Sequence, residues 1–168
     1  MIEGKLRSEG DRAGVRFERR YDFALEEVWS ALTEPDRLQR WLADVAEIDL
    51  RVGGRFVLRW NEGDGTQVDD GKVRALEPGK VLELDWTYPG EPDSAARFEL
   101  RPDGDGTILV LDHRGLPPAA IAGYGAGWHS HLDSLEAHLA GREADWSARF
   151  EELGPAYEER ALRVQSTP

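Results

Sequence analysis

Cysteine is absent from the 168-residue sequence, and no run of apolar residues is long enough to cross a membrane. The first absence excludes disulfide bonds, thiolate catalysis and cysteine-ligated zinc or iron–sulfur sites. The second argues against a membrane-spanning helix, and the N-terminal segment has mixed charge and lacks the apolar core of a secretory signal. We therefore expect a cytoplasmic protein.

Basic residues are scarce as well. The 21 lysine and arginine side chains face 33 aspartate and glutamate side chains, which leaves a formal net charge of −12. This excess repels nucleic acid and anionic lipid, so we expect neither a nucleic-acid nor a membrane partner. The serine-nucleophile signatures Gly-x-Ser-x-Gly and Ser-x-x-Lys are also missing, which disfavours the enzymes that use them.

Several stretches alternate apolar and polar side chains, as strands with one buried face do. They cover residues 15–23, 55–60, 71–76, 82–88, 96–101 and 109–113. Short turns rich in glycine, aspartate and proline join most of them, which predicts an antiparallel sheet. The same turn chemistry leads us to interpret Asp69-Asp70, Asp103 and Asp105 as solvated turn residues.

Helical spacing appears in two places. Two short helices are predicted after the first strand, one over residues 25–33 and one beyond Pro35. A longer helix is predicted from Ala119 to about Ala140. Its apolar stripe consists of Ile121, Tyr124, Trp128, Leu132, Leu135 and Leu139. One apolar stripe and one apolar sheet face predict an α+β fold in which this helix lies across the sheet.

Four stretches in this order resemble a known family: residues 19–41, 50–56, 106–113 and 127–135. They are similar to the bacterial proteins related to the C-terminal domain of the activator of heat-shock protein 90 ATPase, within the START-like helix-grip (SRPBCC) superfamily. Leu25 departs from the proline that many relatives have before the first helix. The resemblance implies a curved antiparallel sheet wrapped around a long C-terminal helix, with a cavity between them. Relatives include lipid and hormone binders, polyketide cyclases and a co-chaperone.

Aromatic side chains dominate the predicted inner surfaces of sheet and helix. Walls of this kind suit a small, largely apolar ligand that a few polar groups orient. The alternative is that these side chains simply fill the core. The candidate ligand-binding residues are Phe56, Leu58, Trp60, Leu84, Trp86, Tyr88, Phe98, His113, Tyr124, Trp128 and His131.

The histidines leave a second hypothesis open. His113 or His131 would transfer a proton in a cyclase- or hydratase-like enzyme, or each would be an ordinary buried histidine. His129 and His131 point to nearly opposite sides of a helix, and His-x-x-x-His does not occur, so no metal site is expected. The glycine run around Tyr124 does not follow a strand, so it is no dinucleotide fingerprint and no cofactor is expected. The family resemblance adds a third hypothesis, a chaperone-regulating interaction module.

The two chain ends lie outside the resemblance. We expect a flexible N-terminus over residues 1–13, a helix-grip domain over 14–141 and a helical C-terminal extension over 142–168. Trp146, Phe150, Leu153 and Tyr157 recur at helical spacing, and Gly154-Pro155 predicts a break between two short helices. These helices would pack on their own domain, form a homodimer contact or close the cavity as a lid.

Overall fold

The computed structural model describes residues 3–62 and 65–166, and within these ranges the chain forms eight strands, four helices and a short 3-10 turn. The strands are β1 Lys5–Glu9, β2 Arg12–Tyr21, β3 Val45–Ile48, β4 Arg55–Glu62, β5 Gly65–Glu77, β6 Val81–Trp86, β7 Ser94–Asp103 and β8 Gly106–Leu116. The helices are α1 Leu25–Thr33, α2 Pro35–Trp41, α3 Ile121–Leu139 and α4 Trp146–Gln165, with the 3-10 turn at Pro118–Ala120.

All eight strands belong to one antiparallel sheet in the order β1-β2-β8-β7-β6-β5-β4-β3. β-Bulges interrupt the register between β2 and β8 and between β5 and β6, and bulges of this kind bend and twist a sheet. Phe17, Leu111 and Phe98 lie side by side on β2, β8 and β7, and each is almost fully buried. The predicted helix-grip fold is confirmed.

The long helix α3 covers this buried face, as its apolar stripe predicts. Trp128, Leu132 and Leu135 are at most 2% exposed. The Tyr21 hydroxyl donates a hydrogen bond to the Leu132 carbonyl at 3.0 Å, which ties β2 to the middle of the helix. Helix and sheet therefore enclose the main core. No helix in the described part of the chain is both long and apolar enough to cross a membrane.

The opposite side of α3 is also buried, because α4 packs against it. Tyr157 on α4 lies so close to Gly125 that a Cβ atom there would come within 2.4 Å of the Tyr157 ring. Glycine at position 125 is therefore required by packing. The Ser130 hydroxyl on α3 donates to the Trp146 carbonyl at 2.8 Å and fixes the start of α4.

The expectation of a flexible N-terminus is wrong for the described residues, because residues 5–9 form the edge strand β1. A hairpin at Gly10, whose φ is +66°, pairs β1 with β2. Leu6 is buried, and the Gly4 N–H donates to the Tyr157 hydroxyl at 2.9 Å. The polar composition of the segment conceals this role, since an edge strand exposes most of its side chains to water.

The predicted helix break at Gly154-Pro155 is also wrong, because α4 continues through Pro155. Proline there removes one backbone donor. The burial of Leu153 and Tyr157 on either side of it compensates for that loss. The segment thus packs on its own domain, as one hypothesis held, whereas a homodimer contact through it stays a prediction.

Tyr157→Phe tests how strongly α4 and β1 depend on each other. The hydroxyl accepts from the Gly4 N–H and shares a hydrogen bond of 2.9 Å with His129 Nδ1, so its loss leaves two buried polar groups unpaired. We expect the free energy of unfolding to fall by about 1–3 kcal/mol in urea titrations. Leu162→Ala on the exposed side of the same helix, where the side chain is 69% exposed, should change it by less than about 0.5 kcal/mol. Equal effects of the two substitutions would contradict this role.

Candidate functional site

A pocket of about 780 Å³ opens at the end of the sheet where β4 and β6 finish. The first half of α3, the end of α2 and the start of α4 complete its walls. Its floor is formed by buried aromatic rings, whereas rim residues such as Gln39, Asp44 and Asn61 are exposed. The space is therefore a cleft between sheet and helix that is open to solvent.

Six of the eleven candidate residues line this pocket, namely Trp60, Trp86, Tyr88, Tyr124, Trp128 and His131. Ring centroids of Trp60 and Trp86 lie 6.0 Å apart, and those of Trp86 and Trp128 lie 5.2 Å apart. The other five are packed in the core outside the pocket, namely Phe56, Leu58, Leu84, Phe98 and His113. The structure therefore brings the first group together and assigns the second to packing.

Three aromatic side chains that were not among the candidates also line the pocket: Trp41, Trp146 and Phe150. Trp146 and Phe150 on α4 stack at 4.9 Å with an angle of 13° between their rings, and Trp146 also lies 5.0 Å from the ring of His131. In the sequence, only the helical spacing of Trp146 and Phe150 in the C-terminal segment pointed to these two side chains. The C-terminal helix thus forms one wall of the pocket as well as packing on α3.

His113 lies in the core with both ring nitrogens engaged. The Trp128 indole can only donate, so its 3.0 Å bond to His113 Nδ1 makes that nitrogen an acceptor. The ring proton is then on Nε2, which donates to the Ser94 hydroxyl at 2.8 Å. Burial lowers the pKa of His113 to about 3, and the neighbouring Arg114 and Arg7 lower it further. His113 is neutral and closed to a ligand.

His131 differs because only one of its nitrogens is engaged. Nδ1 lies 3.0 Å from the Trp41 carbonyl, which can only accept, so Nδ1 carries the proton. Nε2 is then an unprotonated acceptor, and it makes no hydrogen bond within the described residues. Burial lowers the pKa of this ring to about 4, although the bond to the carbonyl partly opposes that shift. The pocket thus contains a neutral, weakly basic acceptor.

Tyr124 and Glu91 form the other polar feature of the pocket. The Tyr124 hydroxyl donates to Glu91 Oε1 at 2.6 Å. Burial and this bond raise the pKa of the phenol, whereas the nearby Trp86 indole partly lowers it. The Trp86 N–H is buried and makes no hydrogen bond of normal geometry to any described residue. Tyr124 is a protonated donor already committed to Glu91.

The remaining indole N–H groups around the pocket are all used by the protein. They donate from Trp41 to the Ala31 carbonyl at 2.8 Å, from Trp60 to the Leu42 carbonyl at 2.7 Å, from Trp128 to His113 at 3.0 Å and from Trp146 to the Gly127 carbonyl at 3.3 Å. What these four side chains offer to the pocket is therefore aromatic carbon.

Two glycines on α3 keep space in the pocket. Gly123 and Gly127 lie one helical turn apart and both line it. A Cβ atom on Gly123 would meet nothing within 4 Å, and one on Gly127 would meet only ordinary contacts at 3.9 and 4.0 Å. Packing thus permits alanine at both positions, although each glycine costs the helix about 1 kcal/mol relative to alanine.

The interpretation of Asp69 as a solvated turn residue is wrong, because β5 begins earlier than its apolar pattern indicates. Asp69 faces inward opposite Leu58 and is fully buried. Its Oδ1 accepts from the N–H and the hydroxyl of Thr87 at 2.7 and 2.9 Å. Burial raises the pKa of this carboxyl to about 6, although the Thr87 bonds oppose the shift. No group of three or more potential metal ligands occurs within residues 3–62 and 65–166.

The chain is similar to a known protein family and to several solved structures. The model of the family described as Activator of Hsp90 ATPase homolog 1-like protein matches residues 22–140. The crystal structure of CalU16 from Micromonospora echinospora is 32% identical, with a TM-score of 0.79 over 95% of this chain and 98% of that one. No protein of curated function matches the sequence.

Two further structures differ in how much of the chain they match. MLL2253 from Mesorhizobium loti is 30% identical, with a TM-score of 0.66 over 76% of this chain and 96% of that one. DynU16, a protein of the dynemicin biosynthetic locus, is 27% identical, with a TM-score of 0.68 over 80% of this chain and 49% of that one. Helix α4, which supplies Trp146 and Phe150, lies beyond the residues that the family model matches.

His113→Gln tests whether a buried neutral histidine controls the pH dependence of stability. The folded-state pKa of about 3 lies below the ordinary value of 6.5, so at intermediate pH only the unfolded chain binds this proton. The contribution of His113 to the free energy of unfolding is therefore fully present above about pH 6.5 and is lost as the pH falls toward 3. In urea titrations, the wild-type free energy of unfolding should fall more steeply than that of the variant, by up to about 1.4 kcal/mol per pH unit.

The raised pKa of Asp69 acts in the opposite direction but is common to both proteins, so it cancels in the comparison. His138→Gln, at a half-buried histidine near the end of α3, should change the slope much less. Parallel curves for the wild type and His113→Gln would refute the assignment.

Proposed function

This chain belongs to the family of Activator of Hsp90 ATPase homolog 1-like proteins, and from that premise we propose that it binds a small, largely apolar molecule in the pocket between the sheet and α3. A volume of about 780 Å³ lies within the range typical of small-molecule sites. The aromatic lining supplies the surface that such a ligand buries, and His131 and Glu91 supply the few polar groups that orient it.

Gly123 and Gly127 carry this proposal. Both positions accept a Cβ atom without a clash, and alanine would stabilise the helix there. Gly125, between them, is explained by the approach of Tyr157. Packing thus explains Gly125 but not Gly123 and Gly127, which both destabilise the helix and both lie on its pocket face. These two glycines support a need for open space in the pocket, which a purely structural helix does not have.

The histidine geometry favours binding over acid–base chemistry. His113 makes hydrogen bonds through both nitrogens inside the core, so the hypothesis that it acts on a ligand loses support. His131 faces the pocket with a pKa of about 4, which makes it a weak base near neutral pH. The likeness to DynU16 supports a ligand that is a product or intermediate of biosynthesis.

Gly127→Leu tests the proposal by filling the pocket from α3. The neutral fluorescent probe N-phenyl-1-naphthylamine should bind the wild type with enhanced emission, and Gly127→Leu should weaken binding at least about tenfold. Gly127→Ala should raise the free energy of unfolding by about 0.5–1 kcal/mol, because the added methyl group meets only ordinary contacts.

Gly154→Leu provides the matched control. This glycine lies on α4 outside the pocket, and a Cβ atom there meets nothing within 4 Å, so the substitution adds the same side chain without narrowing the pocket. Probe affinity should remain that of the wild type. No probe binding by the wild type, or equal binding by Gly127→Leu, would overturn the proposal.

A further inference from the structure

Most hydrogen-bond donors on the aromatic walls of the pocket are already bonded to the protein. The indole N–H groups of Trp41, Trp60, Trp128 and Trp146 donate to protein acceptors. The Tyr124 hydroxyl likewise donates to Glu91. The Trp86 N–H is the exception among these indoles, since it is buried and makes no hydrogen bond within the described residues. The aromatic walls therefore offer few protons to a ligand, although tryptophan and tyrosine are ordinarily donors.

The acceptors of the pocket remain open. Nε2 of His131 carries a lone pair, because Nδ1 holds the ring proton for the Trp41 carbonyl. Glu91 uses one carboxylate oxygen for Tyr124, and its second oxygen makes no hydrogen bond within the described part of the chain. A ligand that brings its own donors fits these two open acceptors, although Arg40, Asn61 and Gln67 supply side-chain donors elsewhere in the lining.

The charged side chains at the pocket are mostly acidic, which also favours a ligand that carries a positive charge. Glu91 is half-buried in the wall and Asp44 lies on the rim, while Arg40 is the one lysine or arginine among the described lining residues. The whole chain adds a formal net charge of −12, which attracts cations toward the opening. Aromatic faces also attract cations, by about 0.5–2 kcal/mol each.

We propose that the ligand is an organic cation, an apolar ring system that carries a protonated amine or a quaternary ammonium group. The ring system packs against the tryptophans, and the cationic end lies beside Glu91. This inference rests on the proposed function, since it names the class of molecule that the same pocket takes. Glu91 is the residue that sets the charge preference.

Two probes of the same shape test this preference. Trimethyl-(2-naphthyl)ammonium and 2-tert-butylnaphthalene differ essentially by one positive charge, and naphthalene-2-sulfonate adds a negative one. Each would displace N-phenyl-1-naphthylamine from the wild type in a fluorescence titration. We expect the cation to bind about 3–30-fold more tightly than the neutral isostere, and the anion to bind most weakly.

Glu91→Gln removes the charge and keeps an acceptor for Tyr124. The cation should then lose most of its advantage, while the affinity of the neutral isostere stays the same. Glu158→Gln removes the same charge from an exposed position of α4 outside the pocket, and it should leave both affinities unchanged.

The outcomes separate the two proposals. If the neutral isostere binds and the cation binds no better, the charge preference is refuted and ligand binding stands. An equal loss of cation affinity in Glu91→Gln and Glu158→Gln would refute the role of Glu91. If no probe displaces N-phenyl-1-naphthylamine, or if that probe does not bind, the pocket itself is not the site.

Discussion

The hydrogen bond from the Trp128 indole to His113 holds α3 in register on the sheet. Both groups are almost completely buried, so a shift of the helix along the sheet would leave a donor and an acceptor unpaired in the core. The bond also fixes the protonated nitrogen of His113 toward Ser94. Because α3 is held at this point, its first half stands over the ends of β4 and β6, and the pocket forms there.

Much of the fold follows from the periodicity of the sequence. Period-two alternation identifies strands that end in aromatic residues, such as Trp60 and Trp86, and one helical stripe identifies the face of α3 that packs on them. The docking of α4 on the other face of α3 is harder to predict, because it depends on a close approach between Gly125 and Tyr157 from distant parts of the chain. Edge strand β1 escapes prediction because only Leu6 marks it as buried.

The site is less predictable than the fold, since alternation assigns a side chain to a face but gives no position along the gap. Phe56 and Trp60 share a face of β4, yet four residues separate them by about 13 Å. The first is sealed in the core and the second reaches the pocket. Trp41 and Trp146 meet His131 only in three dimensions, so spacing along the chain does not identify them as neighbours.

The hydrogen bonds that stabilise the pocket walls also determine which polar groups a ligand meets in the pocket. An aromatic residue at a pocket wall has a polar group that must find a partner when the chain folds. Here carbonyls near the ends of α1, α2 and the first half of α3, together with His113, accept those protons. The bonds that hold the walls in place thereby occupy most of the aromatic donors, whereas His131 and Glu91 keep open acceptor atoms toward the cavity. Replacing a wall tryptophan with phenylalanine would therefore weaken the scaffold through an unpaired buried acceptor while changing the pocket surface little.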